Sequence, residues 1–131
     1  MQFSYTGNPV FTDDRSKTPP YPKQSAWEFY GRVRDHVAYV HIKDGRWRAA
    51  ERKTEYSFPG EGAGEVRRIV KDLAARGFAG GISIEPHLAV VFHDPKVTSP
   101  DEIRFANYVE YGRRMQAILA EARARLTLKP E

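Results

Sequence analysis

The chain contains no cysteine, which excludes a disulfide framework and any reaction that needs a thiolate nucleophile. It also contains no apolar run near the roughly 18 residues that a membrane-spanning helix requires. Residues 1–10 hold no long apolar core of the kind found in signal peptides. These features predict a cytoplasmic protein that does not associate with a membrane.

The excess of positive over negative charge is also small. There are 21 basic and 17 acidic residues, which give a net charge of +4, and the arginines are interleaved with glutamates. Charge alone therefore predicts a solvated surface, and binding to nucleic acid is not expected. At 131 residues and 40% hydrophobic content, the chain is long enough for a single domain, residues 1–131, with a buried core.

Predicted strands and helices alternate along the chain, which is typical of an α/β protein with a parallel sheet. Short apolar segments predict strands at residues 2–5, 37–43 and 81–85. Residues 11–23 and 45–57 are polar or rich in proline, and they predict loops.

Three helices are expected between and after these strands. The first begins at Ser25, which with Glu28 forms a capping box, and ends near residue 35. The second covers residues 65–76, has Val66, Ile69, Val70 and Leu73 at helical spacing, and ends at Gly77. The third begins with a cap at Ser99 and reaches about residue 126. Its inner face is expected to comprise Ile103, Ala106, Val109, Met115, Ile118, Leu119 and Ala122.

Ionisable side chains stand at the ends of two predicted strands. His41, Lys43 and Asp44 end one strand, while Glu85 and His87 end the next. Since parallel strands present their carboxyl ends at one edge of a sheet, we expect these groups to lie near one another. Imidazole and carboxylate together can bind a divalent metal, and a carboxylate can also transfer protons. Taken singly, each residue is more often a structural hydrogen-bonding group or a solvated charge than a functional group. Their common position at one edge of the sheet favours function.

Two loops have alternative interpretations. The glycine-rich turn 60–64 precedes a helix, so its amides could hold an anion such as phosphate, but it lacks a P-loop ending and is better explained as a tight turn at the edge of the sheet. The basic segment 46–53 could attract an anionic sugar or nucleic acid, but Glu51 and Glu55 favour a solvated loop.

These motifs resemble the carboxyl-terminal part of the xylose-isomerase-like TIM barrels, a group of sugar-phosphate isomerases and epimerases. The resemblance rests on residues 40–44, 59–62 and 82–87, and it extends from about Phe3 to the last helix. It implies that the chain is a partial (β/α) barrel, with three parallel strands equivalent to the last three βα units. The more distant endonuclease IV type would need further His and Asp ligands, which residues 45–59 lack.

The resemblance also implies roles for individual residues. His41 and Glu85 correspond to two ligands of a divalent metal (Mn, Mg, Co or Zn), and Glu85 also corresponds to a catalytic acid/base. Lys43, His87 and Asn8 correspond to contacts with a sugar or polyol substrate. The chain departs from the family at Tyr5, where an Asp ligand is expected, and it has no counterpart of the fifth-strand Glu.

The resemblance thus predicts a sugar isomerase or epimerase with an incomplete metal site that needs a partner for activity. A three-stranded piece of a barrel would leave two sheet edges open, so we expect a homo-oligomer or a chain that supplies the missing strands. Rearrangement of loop 11–23 is a further way to cover an edge. The alternative is that the chain is a non-catalytic remnant that serves as a scaffold or binding protein of the same fold. A nucleic-acid-binding module is a third possibility.

Overall fold

A computed structural model describes residues 2–3, 25–48, 50, 53–88 and 101–127. Predictions for residues 4–24 and 89–100, including the loop 11–23 and the cap at Ser99, lie outside these described residues. A short 3₁₀ turn, Arg34–His36, follows the first helix. The elements in chain order are β1 (Gln2–Phe3), α1 (Ala26–Val33), β2 (Tyr39–Ile42), β3 (Asp44–Arg48), β4 (Lys53–Ser57), α2 (Val66–Ala75), β5 (Gly81–Ile84) and α3 (Asp101–Thr127).

A three-stranded parallel sheet with strand order β1-β2-β5 organises the fold. In this sheet His41 lies opposite Ser83 and Ile42 lies opposite Ile84. Helix α1 lies between β1 and β2 in sequence, α2 lies between β2 and β5, and α3 follows. The prediction of an α/β protein with three parallel strands alternating with helices is confirmed. Within the described residues these strands close no barrel.

The prediction of a polar loop at residues 45–57 is wrong, because this segment forms the antiparallel hairpin β3–β4. Arg46 lies opposite Glu55, and the Nε and Oε2 atoms of the pair are 3.6 Å apart. Trp47 lies opposite Thr54 on the other face. The segment has the two-residue alternation of a strand, but its charged positions gave it the composition of a loop.

The core lies between the sheet and the helices α2 and α3. Helix α2 buries the four apolar residues that its spacing predicted, and Tyr30 of α1 is fully buried. Both faces of a parallel sheet need cover, so Val40 and Ile42 of β2 are also fully buried. The core residues are Tyr30, Val40, Ile42, Val66, Ile69, Val70, Leu73, Tyr111, Met115, Ile118 and Ala122.

The predicted inner face of α3 is correct only in its second half. Met115, Ile118 and Ala122 are buried, and Leu119 packs against the core. In contrast, Ile103, Ala106 and Val109 are exposed, and Tyr111, which was not predicted, is buried. The reason is that α3 packs on the core through one stripe of side chains, which includes Tyr111, Met115 and Ile118. The apolar residues of its first turns lie on another face of the helix.

The cap of α1 is confirmed and extended. The Ser25 hydroxyl oxygen accepts a hydrogen bond from the Glu28 amide at 3.2 Å. The same hydroxyl donates to Glu65 Oε2 at 2.7 Å, and the Trp27 amide donates to that oxygen at 3.0 Å. Burial raises the pKa of Glu65, but these bonds and Arg68 outweigh it and leave the pKa below its ordinary value. Glu65 therefore joins the amino ends of α1 and α2.

Two glycines form a matched pair for testing backbone conformation. A Cβ added at Gly31 in α1 or at Gly77 after α2 would meet no atom within 4 Å, but Gly77 has φ +67°. We expect Gly31→Ala to stabilise the fold by about 0.5–1 kcal/mol, because alanine loses less entropy in a helix. Gly77→Ala should destabilise it by about 1 kcal/mol because L residues are strained at positive φ. Urea unfolding of both variants measures the difference, and equal shifts would contradict this explanation.

Within the described residues, no helix is both long enough and apolar enough to cross a lipid bilayer.

Candidate functional site

Two adjacent parallel strands bring His41 and Glu85 together. His41 is on β2, Glu85 directly follows β5, and the Glu85 amide continues the ladder by donating to the Ile42 carbonyl at 2.9 Å. His41 Nε2 lies 2.6 Å from Glu85 Oε2. About a third of each side chain is exposed, so the pair is accessible from solvent. The prediction that these two residues meet at one edge of the sheet is thus realised in the structure.

Lys43 and His87 contact the other oxygen of the same carboxylate. His87 Nε2 lies 2.6 Å from Glu85 Oε1, and Lys43 Nζ lies 3.6 Å from that atom. The side chains of His87 and Lys43 are 8% and 11% exposed, so they support the carboxylate from the protein side. Asn8, the remaining predicted site residue, lies outside the described residues.

The surroundings of Glu85 favour its ionised form. Partial burial raises the pKa of Glu85, but the hydrogen bonds with His87 and His41 and the charge of Lys43 outweigh it. The net effect is a pKa below the ordinary value. At neutral pH the side chain is therefore a carboxylate, which can accept a proton or bind a cation.

Ser83 holds the other nitrogen of His41. Because Ser83 lies opposite His41 in the parallel ladder, the two side chains point to the same face, and Ser83 Oγ is 2.5 Å from His41 Nδ1. With Glu85 ionised, a neutral His41 donates a hydrogen bond from Nε2 to Glu85, and its Nδ1 accepts a hydrogen bond from the Ser83 hydroxyl. The Nε2 lone pair becomes available to a ligand only in the other tautomer, in which Ser83 would accept.

Tyr56 is a member of the site that the sequence did not predict. Its ring centroid lies 4.7 Å from that of His87, and the Lys43 ammonium lies 5.1 Å from the ring centroid. Tyr56 is on β4, in the segment predicted as a loop, so no partner was expected for it. The alternation of side chains around Tyr56 is typical of a strand, and it was the only feature of the sequence that could have indicated one here. Where that strand lies is seen only in the tertiary structure.

Asp44 does not join the Glu85 cluster. Its side chain is 2% exposed, and its two oxygens accept hydrogen bonds from four backbone amides at 2.8–3.1 Å. Three of these amides belong to the glycine-rich turn predicted to hold an anion. The anion in this structure is the carboxylate of Asp44, so these amides are not free for phosphate. The donors are the amides of Gly45, Gly60, Gly62 and Gly64.

This arrangement, which we call the Asp44 cage, explains the glycines of the turn. A Cβ at Gly62 would overlap the Asp44 carboxylate, and one at Gly64 would lie 2.8 Å from Oδ1. The cage holds Asp44, the first residue of β3, directly after Lys43. The hairpin therefore begins at the edge of the parallel sheet, and Tyr56 lies there as well.

The predicted metal site is incomplete in the part of the chain that the structure describes. No group of three or more His, Asp or Glu side chains there is arranged to hold a metal ion. His41 and Glu85 face each other at hydrogen-bond distance instead of facing a common point. Since a catalytic metal usually has three or more protein ligands, these residues provide at most part of a metal site.

Comparisons with known proteins supply no relative. No protein-family model matches the chain, and neither a curated protein nor a solved structure matches it.

Proposed function

We propose that the chain carries part of the active site of a sugar isomerase or epimerase of the xylose-isomerase-like type. In this proposal the sheet corresponds to the last three βα units of the barrel. The observation that carries the proposal is the 2.6 Å contact between His41 and Glu85 at the carboxyl edge of adjacent parallel strands. The substrate class that the resemblance implies is a small sugar or polyol. Glu85, which is ionised and accessible, could serve as the base for proton transfer next to a sugar carbonyl.

A divalent cation, Mn, Mg, Co or Zn, would act in such a site as a Lewis acid on substrate oxygens. His41 Nε2 and the Glu85 carboxylate are the donors that this chain offers, and this pair suits all four metals. Two donors that face each other do not make a complete site, so the remaining ligands would come from a second copy or another chain.

The chain's own residues suggest how a proton would move. For isomerisation, Glu85 would accept the proton of the carbon next to the carbonyl and return it to the former carbonyl carbon from the same face, while the hydroxyl proton on the first carbon passes to the former carbonyl oxygen. Epimerisation would need a second acid on the opposite face, and a partner chain would have to supply it. His41 orients the carboxylate through Oε2, while His87 and Lys43 stabilise its charge through Oε1. In the substrate complex, Lys43 and His87 would also contact substrate oxygens.

Calorimetry with Mn²⁺ tests the proposed ligands. We expect the wild-type chain to bind Mn²⁺ and Glu85→Ala to bind it at least about tenfold more weakly, because a ligand has been removed. Glu28→Ala is the matched control, since Glu28 is an exposed carboxylate on α1. Absence of binding would contradict a site completed by a second copy of this chain. Equal affinity in the wild type and Glu85→Ala would contradict a metal site at Glu85.

A specific observation favours a second candidate function, a non-catalytic scaffold or binding protein of the same fold. Both oxygens of Glu85 already have partners within the chain, which is how a structural ion cluster is satisfied. In that case, Glu85→Ala would lower the stability of the fold without changing metal affinity.

A further inference from the structure

Ser83, His41 and Glu85 form a continuous row of hydrogen bonds across β2 and β5. Ser83 Oγ lies 2.5 Å from His41 Nδ1, and His41 Nε2 lies 2.6 Å from Glu85 Oε2. The row follows from parallel pairing, because Ser83 lies opposite His41 and Glu85 comes two residues later on the same face. A hydroxyl, an imidazole and a carboxylate in this order are the groups that convert a serine into a nucleophile.

The tautomer of His41 in this row is the one that a general base requires. Because Nε2 donates to a carboxylate, the neutral imidazole keeps its lone pair at Nδ1, where the Ser83 hydroxyl donates. The other oxygen of Glu85 lies 2.6 Å from His87 Nε2 and 3.6 Å from Lys43 Nζ. A proton that moved from Ser83 to His41 would therefore leave an imidazolium paired with a firmly held carboxylate.

An exposed aromatic ring lies beside Ser83 on the same face of the sheet. Tyr39 and Gly81 lie opposite each other, two residues before His41 and Ser83. The Tyr39 ring covers Gly81, since a Cβ added at Gly81 would lie 2.6 Å from a ring carbon, and Tyr39 is 51% exposed. A short apolar or aromatic acyl group attached to Ser83 could pack against this ring.

The backbone amide of Ile84 points away from β2. The Glu85 amide donates to the Ile42 carbonyl, and alternate residues of a strand point their amides to opposite sides. In the parallel sheet of the described residues, β5 has a neighbouring strand only on the β2 side. The amide that follows a nucleophilic serine is a common donor to the negative oxygen that forms during acyl transfer.

We propose that Ser83 is the nucleophile of an esterase activity towards small esters with a short apolar or aromatic acyl group. Ser83 Oγ would form a bond to the ester carbonyl carbon as its proton passes to His41 Nδ1. The carbon–oxygen bond to the alcohol then breaks, and His41 gives its proton to the leaving alcohol. Water attacks the acyl-serine, its proton passes through His41 to Ser83 Oγ, and the carboxylic acid is released. This hydrolysis needs neither a sugar nor a metal, so it goes beyond the proposed isomerase chemistry.

Diisopropyl fluorophosphate tests the nucleophile, because an activated serine displaces its fluoride and keeps the phosphoryl group. Mass spectrometry should locate the label on Ser83. We expect labelling to be at least about a hundredfold slower in His41→Gln, which lacks the base. Ser57→Ala is the matched control and should be labelled at the wild-type rate. It removes the hydroxyl of another strand serine, whose buried oxygen has no hydrogen-bond partner among the described residues.

Hydrolysis of p-nitrophenyl butyrate gives the second measurement. Ser83→Ala should hydrolyse this ester at least about tenfold more slowly than the wild type and Ser57→Ala, with an unchanged circular dichroism spectrum. Absence of label on Ser83, equal labelling in His41→Gln, or unchanged hydrolysis in Ser83→Ala would overturn the proposal. No sugar is present in either measurement, so these results are independent of whether the isomerase proposal fails.

Discussion

Replacement of Asp44 by alanine is expected to remove a large part of the stability of the fold. The side chain is buried and accepts hydrogen bonds from four backbone amides, which would lose their acceptor together. Because hydrogen bonds to a charged group are strong and an unsatisfied buried donor is costly, we expect a loss of about 3–5 kcal/mol. Single domains have about 5–15 kcal/mol in total, so the effect is large. Urea unfolding followed by circular dichroism measures it.

Two further variants isolate the cause of this loss. Asp44→Asn keeps one acceptor oxygen but points an amide donor at other donors, so it should be destabilised by a smaller amount. Glu121→Ala removes an exposed carboxylate that pairs with Arg67 at 2.6 Å, and it should lose less than about 1 kcal/mol. If Asp44→Ala were as stable as Glu121→Ala, the cage would not be what holds the hairpin.

The second large effect is expected at Glu85. If Glu85 transfers a proton to and from a sugar carbon, a sugar substrate incubated with the protein in D₂O will gain deuterium at that carbon. We expect Glu85→Gln to slow this exchange at least about a hundredfold, because an amide cannot act as the base. Proton NMR of a panel of small sugars and sugar phosphates, with the partner chain or metal added where needed, detects the exchange.

The controls for this experiment separate chemistry from folding. Glu85→Gln should keep its circular dichroism spectrum, since the side chain is about one-third exposed and the replacement has the same shape. Glu28→Gln changes a carboxylate on α1, outside the cluster, and should exchange deuterium at the wild-type rate. Exchange that persists unchanged in Glu85→Gln would show that another group is the base.

Local patterns predicted the elements with the clearest periodicity. The apolar spacing of α2 predicted its four buried residues, and Ser25 and Gly77 correctly predicted a helix start and a helix end. The hairpin β3–β4 was missed because its alternation is carried by arginine, tryptophan and tyrosine, with few aliphatic residues. A charged surface hairpin and a polar loop have similar amino-acid composition. They differ in whether their backbone amides and carbonyls form hydrogen bonds between two strands.

The candidate site shows the same division. That His41 and Glu85 would meet follows from strand order, since adjacent parallel strands end at one edge. The same argument placed Lys43 and His87 near Glu85, and both contact its carboxylate. That Tyr56 packs against His87 and Lys43 does not follow from the strand order, because its position depends on where the hairpin packs. The glycine turn had two interpretations, a site for an anion such as phosphate and a tight turn. Its amides bind the carboxylate of Asp44 instead of phosphate, and Asp44 lies sixteen to twenty residues earlier in the chain.

The sequence by itself determined the α/β class, the helices, the parallel strands and the meeting of His41 with Glu85. These features depend on residue spacing and on the order of elements along the chain, which are local properties. Only the tertiary structure decided that Asp44 occupies the glycine turn and that Phe105, Tyr108 and Val109 face solvent. Those outcomes depend on which distant groups compete for the same amides and the same buried surface, and a one-dimensional pattern does not contain that competition.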